Sequence, residues 1–267
     1  MVGVVNGFQL VPADTVIVPA EMDNYSSSTN PHIRDKVEGT LLEEIDAGNY
    51  ILSDCKPLIV SALGAVPKPD SDEPRLIHDC SMPLGKGVNS YIEIEKQSFQ
   101  TLDDAARLIG KDYFLAKVDL RRAYRSVPVH PSNYKALGLK WRFKNSDTFS
   151  YLFDTKLPFG ASSAPGIFHR LTQSVRRMML NRGFSGIVVY LDDFLIIGKT
   201  YQECKTAFDT LCELLISLGF TISPTKVVEP CQVLTFLGIE INTTTLSFSL
   251  PGEKNSGTER SPLVFFW

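Results

Sequence analysis

The stretch from Ile187 to Ile197 constrains the fold of this 267-residue chain more than any other. Two runs of β-branched and aromatic residues flank a single pair of acids, Asp192 and Asp193. This pattern predicts a β-hairpin with the acids in its two-residue turn. Aspartate is a common turn residue, because it bonds to its own backbone, but two adjacent carboxylates repel each other unless a cation is present. The stretch therefore predicts either an ordinary turn or half of a cation site.

A third carboxylate, Asp119, ends the β-prone run from Tyr113 to Leu120. An acid inside such a run must be paired, metal-bound or at the rim of a sheet, because an isolated buried carboxylate is costly. Magnesium prefers carboxylate oxygens and keeps positions open for water or phosphate. The turn 121–124 follows at once, and its backbone amides suit the binding of anionic oxygen. These features favour the cation site.

The overall composition is that of an ordinary soluble protein, with 43% hydrophobic and 21% charged residues, and the length suits one large domain or two intimate lobes. No run of about 18 apolar residues appears. The N-terminus lacks the basic start and apolar core of a signal peptide, so we expect an intracellular protein with no membrane partner. The five scattered cysteines and four histidines show no metal-site spacing, which argues against disulfides and zinc.

The charge is unevenly distributed, although its net value is only −3. The segment from Lys117 to Arg182 has 13 Lys and Arg against three Asp, a net of +10, so the other residues carry 14 basic against 27 acidic side chains, a net of −13. A basic tract beside an acidic remainder is typical of a protein that binds a phosphate backbone. A solvated helix face would account for part of the same pattern.

Periodicity and capping residues predict the other elements. Helices are expected from Asn30 to Gly48, Thr101 to Ile109, Pro165 onwards and Thr200 to Gly219. Strands are expected at 61–67 with 75–78, which form a hairpin, and at 137–143, 149–153, 220–223 and 233–241. The segment 1–28 is expected to be extended or poorly ordered. The core face of the third helix is predicted to consist of Phe168, Leu171, Val175 and Met178.

The order of the motifs in this chain resembles that of the reverse transcriptase domain, over roughly residues 62–241. The motifs are Lys68 with Arg75, Asp119 with Tyr124, Pro158-Phe159-Gly160, Tyr190-Leu191-Asp192-Asp193, Lys226, and Phe236-Leu237-Gly238. The runs 117–120 and 123–131 are most similar to retrotransposons of the tyrosine-recombinase, or DIRS, type. Phe159 stands where retroviral enzymes typically have glutamine. No motif resembles a ribonuclease H, integrase, protease or recombinase.

The resemblance implies an α+β fold of the right-hand polymerase type. Its palm, an antiparallel sheet packed on helices, would occupy residues 113–129 and 158–245. Inserted fingers would occupy residues 49–112 and 130–157, after an N-terminal extension and helix at 1–48. Residues 246–267 change character and end in an apolar run, so we expect an aberrant or truncated tail and no thumb.

The resemblance also implies two-metal nucleotidyl transfer. Asp119, Asp192 and Asp193 would hold two Mg²⁺ ions, or Mn²⁺ in their place, with the carbonyl of Leu120 assisting and Asp193 in a supporting role. One ion would activate the primer 3′-hydroxyl, and the other would neutralise the triphosphate and the departing pyrophosphate. The implied partners are an RNA or DNA template with its primer, and deoxynucleoside triphosphates (dNTPs).

Further roles follow from the resemblance residue by residue. Lys68 and Arg75 would bind the β and γ phosphates, helped by the amides of Arg122 and Ala123, since the guanidinium fork suits phosphate. Tyr124 would stack under the incoming sugar and exclude a 2′-hydroxyl. The remaining assignments are Phe159 and Gly160 along the nucleotide and template, Lys226 beside the acids, and Phe236, Leu237 and Gly238 at the primer terminus. Tyr124 as packing and Lys226 as a surface lysine are the plainer alternatives.

We therefore predict an RNA-directed DNA polymerase domain of a retroelement. The alternative is a catalytically inactive, truncated remnant that at most binds nucleic acid through its basic tract. An RNA-dependent RNA polymerase fits less well, because Tyr124 is bulky where such an enzyme must accept a 2′-hydroxyl. The oligomeric state is left open by the sequence.

Overall fold

The computed structural model describes residues 2–68 and 71–252. These residues include six α-helices and fourteen strands. The helices are α1 (Val2–Asn6), α2 (Ser26–Thr29), α3 (Pro31–Asp46), α4 (Leu102–Ala106), α5 (Ala164–Asn181) and α6 (Tyr201–Ser217). The strands are β1 (Ala20–Glu21), β2 (Tyr50–Ser53), β3 (Ile59–Val60), β4 (Ala62–Lys68), β5 (Ser71–Asp79), β6 (Phe114–Asp119), β7 (Gly138–Trp141), β8 (Ser150–Asp154), β9 (Ile187–Tyr190), β10 (Asp193–Gly198), β11 (Val228–Cys231), β12 (Val233–Phe236), β13 (Ile239–Asn242) and β14 (Ser247–Ser249).

Capping residues begin the helices at the predicted positions. The side chain of Asn30 accepts a hydrogen bond from the His32 amide at the start of α3. Thr101 and Asp104 form the predicted capping box of α4, but that helix ends at Ala106, so the prediction that it reaches Ile109 was wrong. After the helix, Asp112 adopts a positive φ of 63° and its amide donates to the carbonyl of Thr243. The chain therefore leaves the helical conformation before Asp112 and turns into β6.

The N-terminal segment was expected to be extended or poorly ordered; it is extended in part, but it contains the helices α1 and α2 and is fixed by specific contacts. The carboxamide oxygen of Asn133 accepts hydrogen bonds from the amides of Leu10 and Val11 at 2.6 and 3.2 Å, and Val11 is 1% exposed. Further along, β1 pairs in parallel with β3. These contacts join residues far apart in the chain, which local periodicity cannot reveal.

The first compact unit comprises Met1–Lys96 and Tyr124–Ile167. Its mixed sheet has the order β1-β3-β7-β8-β2, and a separate hairpin pairs β4 with β5. Buried apolar side chains from α3 and from these strands, including Leu41, Leu63 and Trp141, form its core. The predicted hairpin at 61–78 and the predicted strands at 137–143 and 149–153 are confirmed.

The second compact unit comprises Gln97–Ala123 and Phe168–Trp267. Its antiparallel sheet has the order β11-β6-β10-β9, with α6 against β6 and β10, and a three-stranded sheet is formed by β12, β13 and β14. The predicted strand 233–241 is a hairpin, β12 and β13, around Leu237 and Gly238. The predicted strand 220–223 forms a single bridge between Ile222 and Leu120.

The buried face of α5 differs from the predicted one. Met178 is 41% exposed, whereas Met179 is fully buried, and His169, outside the predicted core face, is 5% exposed. Phe168 and Val175 are buried as predicted. Residues three and four positions after Val175 both satisfy helical spacing, so only the neighbouring elements decide which methionine lies inside.

The predicted limits of fingers and palm stay predictions, because the two compact units have limits of their own. Within the predicted tail 246–267, Ser247–Ser249 pairs with β13, and residues 253–267 lie outside the described residues. In the described ranges, no helix has the length and apolar character needed to cross a membrane.

Candidate active site

The acidic hairpin is present, but its turn lies one residue earlier than predicted. Asp193 pairs with Tyr190, so it is the first residue of β10, and the two-residue turn consists of Leu191 and Asp192. Leu191 adopts a positive φ of 52°, a conformation that a bulky residue rarely takes. The turn is held from β6 by a hydrogen bond from the Leu120 amide to the Asp192 carbonyl at 3.1 Å.

The third acid lies directly opposite this hairpin. Asp119, at the end of β6, is the register partner of Asp193 on β10. Residues directly opposite in an antiparallel pair place their side chains on one face, with Cβ atoms about 4.5–5.5 Å apart. Asp119 is 4% exposed, and Asp192 and Asp193 are half-buried. The fold therefore places Asp119 beside the acidic hairpin, although Asp119 lies more than 70 positions earlier in the chain than Asp192 and Asp193.

Two lysines flank the acids. The Nζ atom of Lys226 lies 3.1 Å from Oδ2 of Asp119, as expected for a lysine that supports the acids, although its side chain is 61% exposed. The Nζ atom of Lys117 lies 2.9 Å from Oδ1 of Asp193, and both side chains are at most 20% exposed. Sequence reasoning assigned no role to Lys117. Its position two residues before Asp119 was the available signal, because alternate residues of a strand share a face.

Burial, and to a lesser extent neighbouring negative charge, raises the pKa values of two carboxyls in this cluster. Burial raises the pKa of the Asp119 carboxyl above its usual value, Lys226 opposes that rise, and the charge on Asp193 adds to it. Burial also raises the pKa of Asp192; its own backbone amide opposes the rise, whereas Asp193 and Asp119 strengthen it. Two carboxyls with raised pKa values side by side indicate a place where a cation would be stabilising.

The donor atoms fit a hard divalent cation that is shared with another ligand. No three His, Cys, Asp or Glu side chains converge into a metal-holding group within the described part of the chain. Mg²⁺ does not require such a group, because it is usually bound through one or two carboxylates and completes its shell with water and phosphate oxygens. Asp119 and Asp192 have the oxygen donors for this mode of binding, and Asp193 is engaged by Lys117.

A basic turn follows Asp119 and lines a cavity. Arg122 has a positive φ of 53°, and Arg121, Arg122 and Thr221 surround a volume of about 260 Å³. The amide of Arg121 donates to the carbonyl of Thr221 at 2.8 Å, which fixes the turn against the segment after α6. Thr221 was not predicted, because nothing in its local sequence connects it with residue 121.

Three predicted residues of the first unit also meet. The guanidinium carbon of Arg75 lies 5.8 Å from the centre of the Phe159 ring, and the Tyr124 ring centre lies 5.1 Å from it. Phe159 is 43% exposed. Gly160 is required where it stands, since a Cβ there would lie 1.9 Å from the His78 carbonyl oxygen. The backbone of Lys68 pairs with Ser71, and the Lys68 side chain lies outside the described structure.

The predicted primer-terminus segment has a buried side chain. Phe236 is fully buried in the core of the second unit, whereas Leu237 is only partly buried against it. Leu237 and Gly238 have positive φ values of 50° and 78° and form the turn between β12 and β13. A primer contact here would be made through that turn.

Gln100 is a further residue that sequence reasoning missed. Its Oε1 atom accepts a hydrogen bond from the Val189 amide at 3.0 Å and lies 3.4 Å from Nε2 of Gln173. Because β9 is the edge strand of its sheet, Gln100 occupies a position that a neighbouring strand would otherwise take. It connects the acidic hairpin to α5.

The site thus places acidic strand ends beside a basic, cavity-lining turn. The chain belongs to the reverse transcriptase family: the family described as "Reverse transcriptase (RNA-dependent DNA polymerase)" matches residues 66–241, which is well over half of the chain. This confirms the predicted family.

Three curated relatives of the chain are viral proteins, two of them polyproteins. The Gag-Pro-Pol polyprotein of Mason-Pfizer monkey virus is 29% identical over 143 residues, or 50% of this chain and 8% of the polyprotein. The Gag-Pol polyprotein of avian reticuloendotheliosis virus is 24% identical over 186 residues, or 69% of this chain and 16% of the polyprotein. Protein P of heron hepatitis B virus is 25% identical, over 65% of this chain and 21% of that protein. The chain thus spans less than a quarter of each relative.

Solved structures share the fold. The foamy viral protease-reverse transcriptase in complex with double-stranded DNA has a TM-score of 0.76 at 20% identity, covering 92% of this chain and 39% of that one. The foamy viral protein in complex with an RNA/DNA hybrid has a TM-score of 0.71 at 19% identity, covering 92% and 30%. The predicted α+β fold is confirmed.

Proposed function

We propose that this chain is the catalytic part of an RNA-directed DNA polymerase, which adds dNTPs to a primer 3′-hydroxyl on an RNA or DNA template. The observation that carries the proposal is the placement of Asp119 directly opposite Asp193, with Asp192 in the adjoining turn. Carboxylates this close are unfavourable without a cation. Membership of the reverse transcriptase family indicates the reaction in which such a cation would act, the addition of dNTPs to a primer.

In this proposal Asp119 and Asp192 bind the metal ions, with the carbonyl of Leu120 assisting. Two ions of Mg²⁺, or of Mn²⁺, would lower the pKa of the primer 3′-hydroxyl and neutralise the triphosphate. Asp193 stays paired with Lys117 in a supporting role. Lys226 orients the Asp119 carboxylate and offsets its charge when no metal is bound.

Phosphate binding is assigned to arginines and to backbone amides. Arg121 and Arg122 face the cavity after β6, and a guanidinium can bind two phosphate oxygens at once. The amides of Arg122 and Ala123 are proposed to assist. Lys68 and Arg75, on the hairpin of the first unit, are proposed to contact the β and γ phosphates.

Sugar selection is assigned to Tyr124, which is proposed to exclude a 2′-hydroxyl. Its ring contacts Phe159, and Phe159 and Gly160 are proposed to line the nucleotide and the template. The turn at Leu237 and Gly238, held by the buried Phe236, is proposed to hold the primer terminus through its backbone.

Primer extension tests the proposal. The full 267-residue chain is incubated with a primed RNA template, dNTPs and Mg²⁺, alongside Asp192→Asn and the matched control Asp209→Asn. Asp209 is a half-exposed acid paired with Lys205 on α6. We expect Asp192→Asn to lower incorporation by about 10³-fold, since a metal ion contributes several kcal/mol to such a transition state. Asp209→Asn should retain the wild-type rate.

Incorporation by Asp192→Asn at the wild-type rate would refute the catalytic assignment. Salt-sensitive template binding by the wild-type chain without any incorporation would instead favour the inactive remnant. The control variant separates both outcomes from a general loss of folding.

We further propose that the chain derives from a retrotransposon of the DIRS type and works inside the cell, where template and dNTPs are found. The support is the motif from Lys117 to Pro131 and the phenylalanine at position 159. Sequencing of the flanking genomic DNA tests the subtype: a tyrosine recombinase gene is expected there, and an integrase gene would contradict it.

A further inference from the structure

Arg125, the residue after the proposed sugar-selecting Tyr124, is a buried cation. Its side chain is 8% exposed, which is rare for arginine unless it is paired. The Nη1 atom donates to both oxygens of Asp154 at 2.7 and 2.9 Å, and Nε donates to Oε2 of Glu44 at 3.0 Å. The guanidinium also lies over the Tyr50 ring, 4.8 Å from its centre.

Both acids in this network have further partners. Asp154, which is fully buried, also accepts a hydrogen bond from the Lys156 amide at 3.0 Å. Glu44 accepts another from the carboxamide of Asn49 at 2.9 Å. Burial by itself lowers the pKa of the guanidinium, but the charges around it more than compensate and raise that pKa above its usual value. Arg125 is therefore a charged, fully engaged centre.

The network connects one short turn to three separate elements. Arg125 lies in a 3₁₀ helix of three residues, Tyr124–Ser126. Its partners belong to other elements: Glu44 to α3, Tyr50 to β2 and Asp154 to β8. A three-residue turn has little internal stability of its own. The side chain of Arg125 therefore contributes contacts that help to hold this turn in place.

We propose that Arg125 is a positioning residue for Tyr124, so that the buried network sets how strictly the polymerase selects deoxyribose over ribose. The inference rests on the proposed function. Tyr124 and Arg125 are joined by a peptide bond, so the contacts that fix the Arg125 side chain also restrain the backbone of Tyr124, whose ring packs against Phe159. Displacements near 1 Å at a reacting site can cost about 10²-fold in rate.

A second buried cation in the same unit makes a matched control. The side chain of Lys140, on β7, is 7% exposed, and its Nζ pairs with Glu21 at 2.7 Å and Asp23 at 2.6 Å. It resembles Arg125 in burial and in having two acidic partners. Its contacts do not involve the turn Tyr124–Ser126.

The experiment measures kcat/KM for a dNTP and for the matching ribonucleotide in the full chain and in Tyr124→Ala, Arg125→Met, Arg125→Lys and Lys140→Met. The ratio of the two constants does not depend on the folded fraction. We expect it to fall about 10²-fold in Tyr124→Ala and about tenfold in Arg125→Met. The ratio for Arg125→Lys, which keeps the charge but loses the planar guanidinium fork, should lie between those of the wild-type chain and of Arg125→Met. Lys140→Met should keep the wild-type ratio.

An unchanged ratio in both Arg125 variants, with Tyr124→Ala altered, would overturn the inference and make the network a scaffold only. If Arg125→Met does not fold, the ratio for Arg125→Lys decides in the same way. A parallel fall in Lys140→Met would also overturn it, because destabilisation in general would then relax selection. A wild-type chain without incorporation refutes the proposed function first, and the inference with it.

Discussion

The two charged clusters of this chain differ in whether every carboxylate is paired with a cation. In the first unit, Arg125 donates to Asp154 and Glu44, and each acid has a second donor. In the second unit, Lys226 and Lys117 pair with Asp119 and Asp193, whereas the Asp192 carboxylate is bonded, within the described residues, only by its own backbone amide. One cluster is complete in itself. The other concentrates like charges that a ligand would relieve.

This difference separates a scaffold from a site. A buried network whose members are all paired stabilises one arrangement, and removing a single partner leaves an uncompensated charge. Carboxyls with raised pKa values make the folded chain less stable when they are ionised. Such groups are typical of functional sites. Removal of the Asp154 charge from the first cluster and of the Asp192 charge from the second should therefore change stability in opposite directions.

The largest effect is expected at Asp154. Asp154→Asn removes the bidentate partner of a buried guanidinium, and we expect a loss of about 3–5 kcal/mol in the free energy of unfolding. Urea denaturation measures it, with the exposed acid variant Asp209→Asn as the control, for which less than about 1 kcal/mol is expected. A loss at Asp154 no larger than the control would remove the distinction between the two clusters.

A smaller loss is expected at Lys117. Lys117→Met deprives Asp193 of its 2.9 Å partner, and we expect a loss of about 1 kcal/mol without divalent ions. Mg²⁺ should reduce that loss, since the ion offsets the same negative charge. The double variant with Asp193→Asn should lose less than the sum of the single variants; strict additivity would mean that the pair is not coupled.

At Asp192 we expect a substitution to raise the free energy of unfolding. Asp192→Asn removes one of three neighbouring negative charges, so the metal-free chain should gain roughly 0.2–1 kcal/mol, the usual size of such repulsion between strands. It should also lose the stabilisation that Mg²⁺ gives to the wild-type chain. Thermal unfolding with and without Mg²⁺ measures both changes. A destabilised Asp192→Asn in metal-free buffer would show that the site is not under repulsion.

The smallest effect is a pH dependence of that gain. Because the folded state raises the pKa of Asp192 above its ordinary value of 3.8, the folded chain binds more protons than the unfolded one in the interval between the two values. This contribution to stability is complete below the ordinary value and is lost as the pH rises through the raised one. The advantage of Asp192→Asn over the wild-type chain should accordingly grow with pH and then level off. An advantage that shrinks with rising pH would contradict the direction of the shift.

Much of the fold was predictable because its signals are local. Asn30 with Pro31 begins α3, Thr101 with Asp104 begins α4, and β-branched runs mark the strands. The errors arose where two local solutions are equally good. Met178 and Met179 both suit a buried face of α5, and a two-residue turn can contain either Asp192 with Asp193 or Leu191 with Asp192.

The candidate site was predictable to the extent that residue type alone indicates chemistry. Acids at strand ends and the motif order indicated Asp119, Asp192 and Asp193, and the family is confirmed. The roles assigned to Lys68, Arg75, Tyr124 and the primer-terminus segment stay predictions. Lys117, Gln100 and Thr221 were missed because each acts through a partner that is distant in sequence.

By itself the sequence indicated the longer helices, the acidic hairpin, the carboxylates proposed to carry the chemistry and the family to which the chain belongs. Only the tertiary structure decided that Asp193 lies opposite Asp119 and is paired with Lys117, and that Arg125 is buried between Asp154 and Glu44. The physical reason is that propensity, capping and periodicity act over a few residues. Burial and ion pairing depend on strand register and packing between segments that can lie a hundred residues apart.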